Sequence, residues 1–385
     1  MGKNKFSRIV FLFFMLAICV IGCSKKEEDV VRPIHIVITG SDLIFSYDDS
    51  FKNGVAMAVE DTNKEYESLG YKISYEYLPD YSDYEKGMII TNKLANDDKV
   101  TAVLGSHNFD ILDAAAGILD DAGKIMIAPH GILDSTIKRG YENVFSTTFG
   151  AEETAKFLVE YASQNNIPKV SIVHSEGEYE TTIARAFINY AKETNVKVLD
   201  CTCSALSQED FNRAYERWKS LGVEAVVISQ YFEDDAFYIL NNIKARNPDI
   251  KILGDYALDM EDLLMKYKSQ VEGTVIVSPM SLEQSPKLDE FNKRYEDKYG
   301  KVPTQWAAHG YDCARLVIDT AVSIGSNDPV EIAKQIKNGE GYTGIGGKLK
   351  FDSLGRMVDR KPQYLKCMDG RFEFIDTFGR RRDND

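Results

Sequence analysis

Two hydrophobic periods alternate along most of the chain. Short apolar runs, too brief for helices, end in turn residues, and longer stretches follow in which apolar positions recur every three or four residues. Lys169–Glu193 shows the unit most clearly. Val170–Val173 predicts a buried strand closed by Ser175, Glu176 and Gly177, and from Glu180 onward Ile183, Phe187 and Tyr190 fall at helical spacing. This strand, turn and helix is half of a βαβ unit, and it sets Tyr179 near the carboxyl end of a parallel strand, the edge where open α/β sheets hold ligands.

The same unit recurs upstream. Strands are predicted at Ile34–Thr39, Lys72–Leu78, Val100–Leu104 and Ile125–Ala128, and helices at Phe51–Tyr66, Asp83–Asn96 and Phe109–Ala122. Downstream, a helix at Glu152–Asn165 precedes the Lys169 unit. Strands at Lys197–Cys201, Ala225–Ser229, Lys251–Leu253 and Thr274–Val277 then alternate with helices at Glu209–Leu221, Asp234–Arg246 and Met260–Lys268. Helices at Leu288–Tyr299, Trp306–Ser323 and Pro329–Lys337 follow, and Lys348–Phe374 reads as short strands joined by turns at Asp352–Gly355 and Asp369–Gly370. Alternation of this kind predicts an α/β fold with right-handed crossovers and mostly parallel sheets. At 385 residues, two units are expected.

The N-terminus changes the picture. Lys3, Lys5 and Arg8 precede an apolar run at Ile9–Ile21, and Gly22-Cys23 closes it. Residues 1–22 therefore read as a secretory signal, too short for a stable spanning helix. Val20-Ile21-Gly22-Cys23 resembles the lipobox of bacterial lipoproteins, which implies cleavage before Cys23, lipid on its thiol and a solvated tether over residues 23–32. The net charge is −14; the leader holds three cations and no acid, so the rest of the chain stands at −17. That surface argues against nucleic acid or an anionic membrane face as a partner. Cys201, Cys203, Cys313 and Cys367 form no C-x-x-C and no zinc-spaced set with the five histidines, and they read as buried or free thiols.

The order of these pieces resembles the type I periplasmic binding proteins, in the branch that binds leucine, isoleucine and valine for ABC importers. The likeness runs from Ile34 to Phe374. It is carried by Asn53–Asn63 (NGVAMAVEDTN), Val103-Leu104-Gly105, Ile125–Pro129, Ser175–Arg185, Gln230-Tyr231, His309–Asp312, Asp328–Ala333 and Gly346–Asp352 followed by Gly355. The resemblance implies two Rossmann-like lobes joined by a three-strand hinge, lobe one being residues 33–148 and 278–345 and lobe two 149–277 and 346–385. It further implies a monomeric, extracytoplasmic, non-enzymatic binding protein without a cofactor, which closes on a small polar ligand such as an amino acid and delivers it to an ABC permease. A sensing or scaffold lipoprotein of the same fold is the alternative.

On the residues that match, the resemblance places Tyr47, Asn108, Phe109, Asp110, His130, Tyr179, Tyr231 and Asp255 at the ligand cleft. Asp255, or Tyr256 beside it, is expected to hold an ammonium group. Phe109 and Ile132 stand where the family offers hydroxyls to a ligand carboxylate, so a plain branched-chain amino acid fits poorly. His107, Asp110 and His130 favour a cationic or polar ligand instead.

Other chemistries lack their motifs. Gly341–Lys348 (GYTGIGGK) has Tyr342 where a phosphate-binding loop needs its first glycine and Leu349 where it needs Ser or Thr. No G-x-G-x-x-G follows the first strand, and neither a G-x-S-x-G elbow nor an H-E-x-x-H is present.

Overall fold

Two sheets carry the fold, and the runs of apolar residues are their strands. The computed structural model describes residues 31–379 except 43–47, 107, 205, 206, 231, 281, 283 and 360, with the side chains of 134, 233 and 261–263 also left out. The leader, Cys23, Tyr47, His107 and Tyr231 therefore lie outside the described residues.

The first sheet is built from β1 (Arg32–Gly40), β2 (Tyr71–Pro79), β3 (Ala102–Leu104), β4 (Ile125–Ala128) and β5 (Val144–Ser146), in the order β2-β1-β3-β4-β5. Every pairing is parallel. Between these strands run α1 (Ser50–Tyr66), α2 (Tyr84–Ala95), α3 (Phe109–Asp121) and the single turn α4 (Asp134–Ile137). Ile34, Ile36 and Ile38 of β1 point to one face, packing with Phe51, Val55 and Ala58 of α1. Val37 points to the other, with Leu112, Ala115 and Leu119 of α3. Both faces are covered, which is why the strand reads as one apolar run rather than an alternating pattern.

The second half opens with α5 (Ala151–Gln164), then β6 (Lys169–His174), α6 (Glu178–Ala191), β7 (Lys197–Cys203), α7 (Gln208–Leu221), β8 (Ala225–Ser229), α8 (Glu233–Arg246), β9 (Lys251–Gly254), the short α9 (Glu261–Lys266) and α10 (Lys268–Val271), and β10 (Val275–Val277). Three helices follow: α11 (Pro286–Tyr299), α12 (Gln305–Ile324) and α13 (Pro329–Asn338). After them come β11 (Tyr342–Thr343), β12 (Lys348–Leu349), β13 (Tyr364–Met368) and β14 (Arg371–Ile375). The second sheet runs β14-β13-β10-β9-β8-β6-β7, and its pairings are parallel except those that β13 makes with β10 and β14. Val170 and Ile172 face α5 and α6, while Val173 faces α7 and α8.

The chain passes between the sheets three times. One passage follows β5, a second follows β10, since Leu288, Phe291 and Tyr295 of α11 lie in the first sheet's core, and a third leads to β13. Leu349 and Phe351 are buried in the first core, so this last passage comes after them. The passages are tied to one another. Phe149 N donates to Pro279 O at 2.7 Å, Ser146 N to Gly355 O at 2.9 Å and Ser278 N to Gln363 O at 2.9 Å.

Helices α1 and α12 cross at unusually close range through two glycines. A Cβ on Gly54 would stand 2.0 Å from Ala307 O, and one on Gly310 would stand 2.2 Å from Phe51 O.

The structure departs from the expected elements in several places. β5 is a strand where none was expected, and β7 runs on through Cys203. The helix expected over Met260–Lys268 breaks at Tyr267 into two short pieces. The four described cysteines form no disulfide with one another; Cys313 and Cys367 are buried and Cys201 and Cys203 exposed. Among the described residues, no helix is long and apolar enough to cross a membrane.

Candidate functional site

The carboxyl ends of both sets of parallel strands open toward the region between the sheets. β4 delivers His130, β6 leads through its turn to Tyr179 and Glu180 in the first turn of α6, β8 delivers Gln230, and β9 delivers Asp255 and Tyr256. The start of α12 adds Trp306 and His309.

Their rings form one connected group. Phe109, at the start of α3, stacks on Tyr179 from the other sheet with centroids 5.1 Å apart and planes 12° apart. Tyr179 touches Tyr256 at 5.8 Å, and Tyr256 meets Trp306 edge-on at 5.5 Å. Trp306 packs on His130 at 4.4 Å, and Phe51 lies 5.9 Å from the same imidazole. Phe109, His130, Trp306 and Phe51 belong to the first sheet's elements, while Tyr179 and Tyr256 belong to the second's. The rings therefore span the interface between the sheets. His309 is held structurally, its Nε2 within 3.1 Å of Thr147 Oγ1 and 3.2 Å of Pro129 O.

Around these rings lie polar groups that the protein leaves unpaired. Thr148 Oγ1, Glu180 Oε2, Trp306 Nε1 and both amide atoms of Gln230 are buried and have no hydrogen-bond partner in the protein, and the buried Tyr179 Oη and Thr154 Oγ1 have at most each other, at poor hydrogen-bond geometry. Folded proteins seldom leave buried polar atoms unsatisfied, since each such atom loses its hydration without replacement. A group of them lining one interface is the signature of a site that binds something polar.

The site is also acidic. Asp255 accepts from Ser229 Oγ at 2.5 Å and from Ala257 N at 3.0 Å, and burial pushes its carboxyl up to about 6. Glu180 is pushed up to about 7, mainly by burial, with a smaller contribution from the Asp255 charge. Burial likewise raises the Tyr179 phenol, with Asp255 adding to the effect. Farther along the interface, Asp259 accepts from Gln305 Nε2 at 2.8 Å and is pushed up to about 7 by burial and then by Asp48. Asp48 accepts from Ser50 N and Thr304 Oγ1, each at 2.7 Å. Among the described residues, no Lys or Arg pairs with Asp255, Glu180, Asp259 or Asp48, and no group of three or more His, Cys, Asp and Glu is arranged to hold a metal. One cleft, of about 610 Å³, opens beside Phe109 and Tyr179. Another, of about 850 Å³, opens beside Asp259 and Gln305.

Of the residues named from sequence, Phe109, His130, Tyr179 and Asp255 come together here. Asn108 sits beside them, but its Oδ1 caps α3, accepting from Asp110 N at 2.9 Å and Ile111 N at 3.3 Å. Asp110 is exposed on the first turn of that helix and does not join the group. Ile132 is buried. Glu180, Trp306 and Phe51 were not anticipated as site residues. Trp306 carried a faint signal as one of only two tryptophans, set at a helix start.

Residues 39–361 match a family model described as periplasmic binding protein. The leucine-, isoleucine-, valine-, threonine- and alanine-binding protein of Pseudomonas aeruginosa is 23% identical over 363 residues, covering 92% of this chain and 93% of its own. An ABC transporter substrate-binding protein from Desulfitobacterium hafniense, solved in complex with Leu, matches with a TM-score of 0.77 at 24% identity, covering 89% of this chain and 100% of that one. A branched-chain amino acid transporter substrate-binding protein from Streptococcus pneumoniae, solved in complex with isoleucine, matches with a TM-score of 0.77 at 21% identity, covering 89% and 99%.

Proposed function

We propose that this chain, which belongs to the periplasmic binding protein family, is an extracytoplasmic binding protein that takes an amino acid or a related amine-bearing solute between its lobes and delivers it to an ABC importer. The family is one of binding proteins, not enzymes, and the two-sheet architecture is its fold. The expected first lobe, residues 33–148 and 278–345, extends at least through Phe351, since Leu349 and Phe351 are buried in the first core, and the second lobe takes residues 149–277 and the chain from β13 onward. Ligands named for the Pseudomonas aeruginosa protein and the two solved relatives favour an amino acid.

The observation that carries the proposal is the set of orphaned buried atoms on Glu180, Gln230, Thr148 and Trp306 around the Asp255 carboxylate. A ligand ammonium facing Asp255 supplies the missing charge and donors. A ligand that touches both lobes gains its full binding energy only when they are together, so loading favours the closed form. An importer can then distinguish the loaded protein from the empty one.

The proposal is tested by thermal melting of the full chain, refolded to strip carried-over solute, against amino acids, amines, amides, small peptides and sugars. A compound that binds only the folded protein should, at a hundred times its dissociation constant, add about 2.7 kcal/mol of stability. An upward shift with one chemical class is expected. Silence across the panel would count against a solute-binding role and favour a scaffold lipoprotein.

We further propose that Cys23 carries lipid and anchors the protein to a membrane. Cys23→Ser is expected to move the protein from the membrane to the soluble fraction and to abolish labelling with a fatty-acid probe. Retained labelling would refute the anchor.

A further inference from the structure

We infer that the solute held at this site carries a net positive charge, with Asp255 and Glu180 as paired counter-charges beneath an aromatic wall made by Phe109, Tyr179, Tyr256 and Trp306. The inference rests on the solute-binding reading and narrows it.

The first support is the balance of charge. The Asp255 charge acts on Glu180, and both act on Tyr179, whose ring packs on Tyr256 next to Asp255 in the chain, so the two carboxyls share one small region. Asp255 has two neutral donors, Ser229 and Ala257 N, while Glu180 Oε2 has no partner. Two buried carboxylates without a cation are costly. A zwitterionic amino acid brings one charge of each sign and leaves that deficit unchanged. A monoamine halves it, and a diamine removes it.

The second support is where a ligand carboxylate would have to go. The polar side chains after β3 are already engaged. Ser106 Oγ donates to Asp80 at 2.5 Å, and Asn108 Oδ1 caps α3. Phe109 next to them turns a ring toward Tyr179, and Ile132 after β4 adds only apolar surface. The Thr148 hydroxyl (beside Gly131), Trp306 Nε1 and the Gln230 amide nitrogen remain as donors, and neutral hydroxyl or carbonyl oxygens on the ligand satisfy them as well as a carboxylate does.

The third support is the wall itself. Aromatic faces carry partial negative charge and attract ammonium groups, most strongly where water is excluded. Rings from both sheets meet here, so aromatic surface from both lobes borders the site.

The test uses matched pairs that differ by a carboxylate: leucine against 3-methylbutylamine, phenylalanine against 2-phenylethylamine, and lysine against cadaverine. Each is titrated calorimetrically into the full-length protein, with 3-methylbutanamide as the neutral control. At least one amine is expected to bind tenfold or more tighter than its amino acid, and Glu180→Gln is expected to close that gap. Tighter binding of the amino acid in every pair, or of the neutral amide, would overturn the charge assignment while leaving a solute-binding protein in place. No heat from any of the seven compounds would overturn the charge assignment as well, and the thermal-shift panel described above then decides whether solute binding itself survives.

Discussion

Asp255→Asn is expected to weaken solute binding by two to three orders of magnitude while making the ligand-free protein more stable at pH 7. The two effects share one origin. The Asp255 carboxyl is buried and pushed up to about 6, above the ordinary range near 4. Between those pH values the folded chain keeps a proton that the unfolded chain has released. Stability therefore falls as pH rises through that window, and this share of it is gone above about 6. Asparagine has no proton to lose; its Oδ1 can still accept from Ala257 N, while its Nδ2, standing in place of Oδ2, can donate to the Ser229 hydroxyl. The variant should match the parent near pH 4 and exceed it by on the order of 2–3 kcal/mol at pH 7. Glu180 and Asp259, each pushed up to about 7, keep part of the decline in both proteins. Binding moves the other way, because removing one member of a buried charge pair costs about 3–5 kcal/mol. Melts at pH 4 and pH 7 with calorimetric titration of a bound amine read both arms. Unchanged affinity would take Asp255 out of the site, and unchanged stability at pH 7 would show that its carboxylate is not paying for burial.

Gly310→Ala should cost about 3 kcal/mol of folding stability, at the upper end for inserting one methyl group into a packed interior. The new Cβ would lie 2.2 Å from Phe51 O, a backbone atom that no rotamer change can move. The only relief is to separate α1 from α12, and those helices carry Phe51, Trp306 and His309. Solute binding should therefore weaken together with stability. Urea denaturation followed by circular dichroism gives the measurement, and a midpoint indistinguishable from the parent's would show that the helix pair can slide apart freely.

The strands were legible where burial on both faces leaves a continuous apolar run, as at Ile34–Thr39 and Ala225–Ser229. β5 was not, because Val144–Ser146 is three residues long and lies between Asn143 and Thr147, polar residues buried by tertiary contacts that local sequence does not report. Tyr179, His130 and Asp255 could be placed at strand ends from the two-period pattern alone. Glu180 could not, since an acid in the first turn of an amphipathic helix normally faces water and favours the helix dipole. Here that turn lies within the ring and carboxylate group, and Glu180 is buried. Trp306 was hidden in the same way among the apolar positions of a helix. Asp110 misled by proximity, because Asn108 turns the chain into α3 and leaves the next acid in solvent.

The three passages between the sheets also govern when the molecule can fold. The first sheet is made by residue 146, yet its core includes Trp306, Ile332, Leu349 and Phe351. The second sheet takes its last two strands from residues 364–375. A chain emerging from its N-terminus can complete neither core until nearly all of it has appeared, and contacts this distant in sequence are slow to form. Such a chain stays threadable while it is being made. On the proposed route across a membrane, late assembly is itself useful, because a translocation channel passes an unfolded polypeptide and folding begins on the far side.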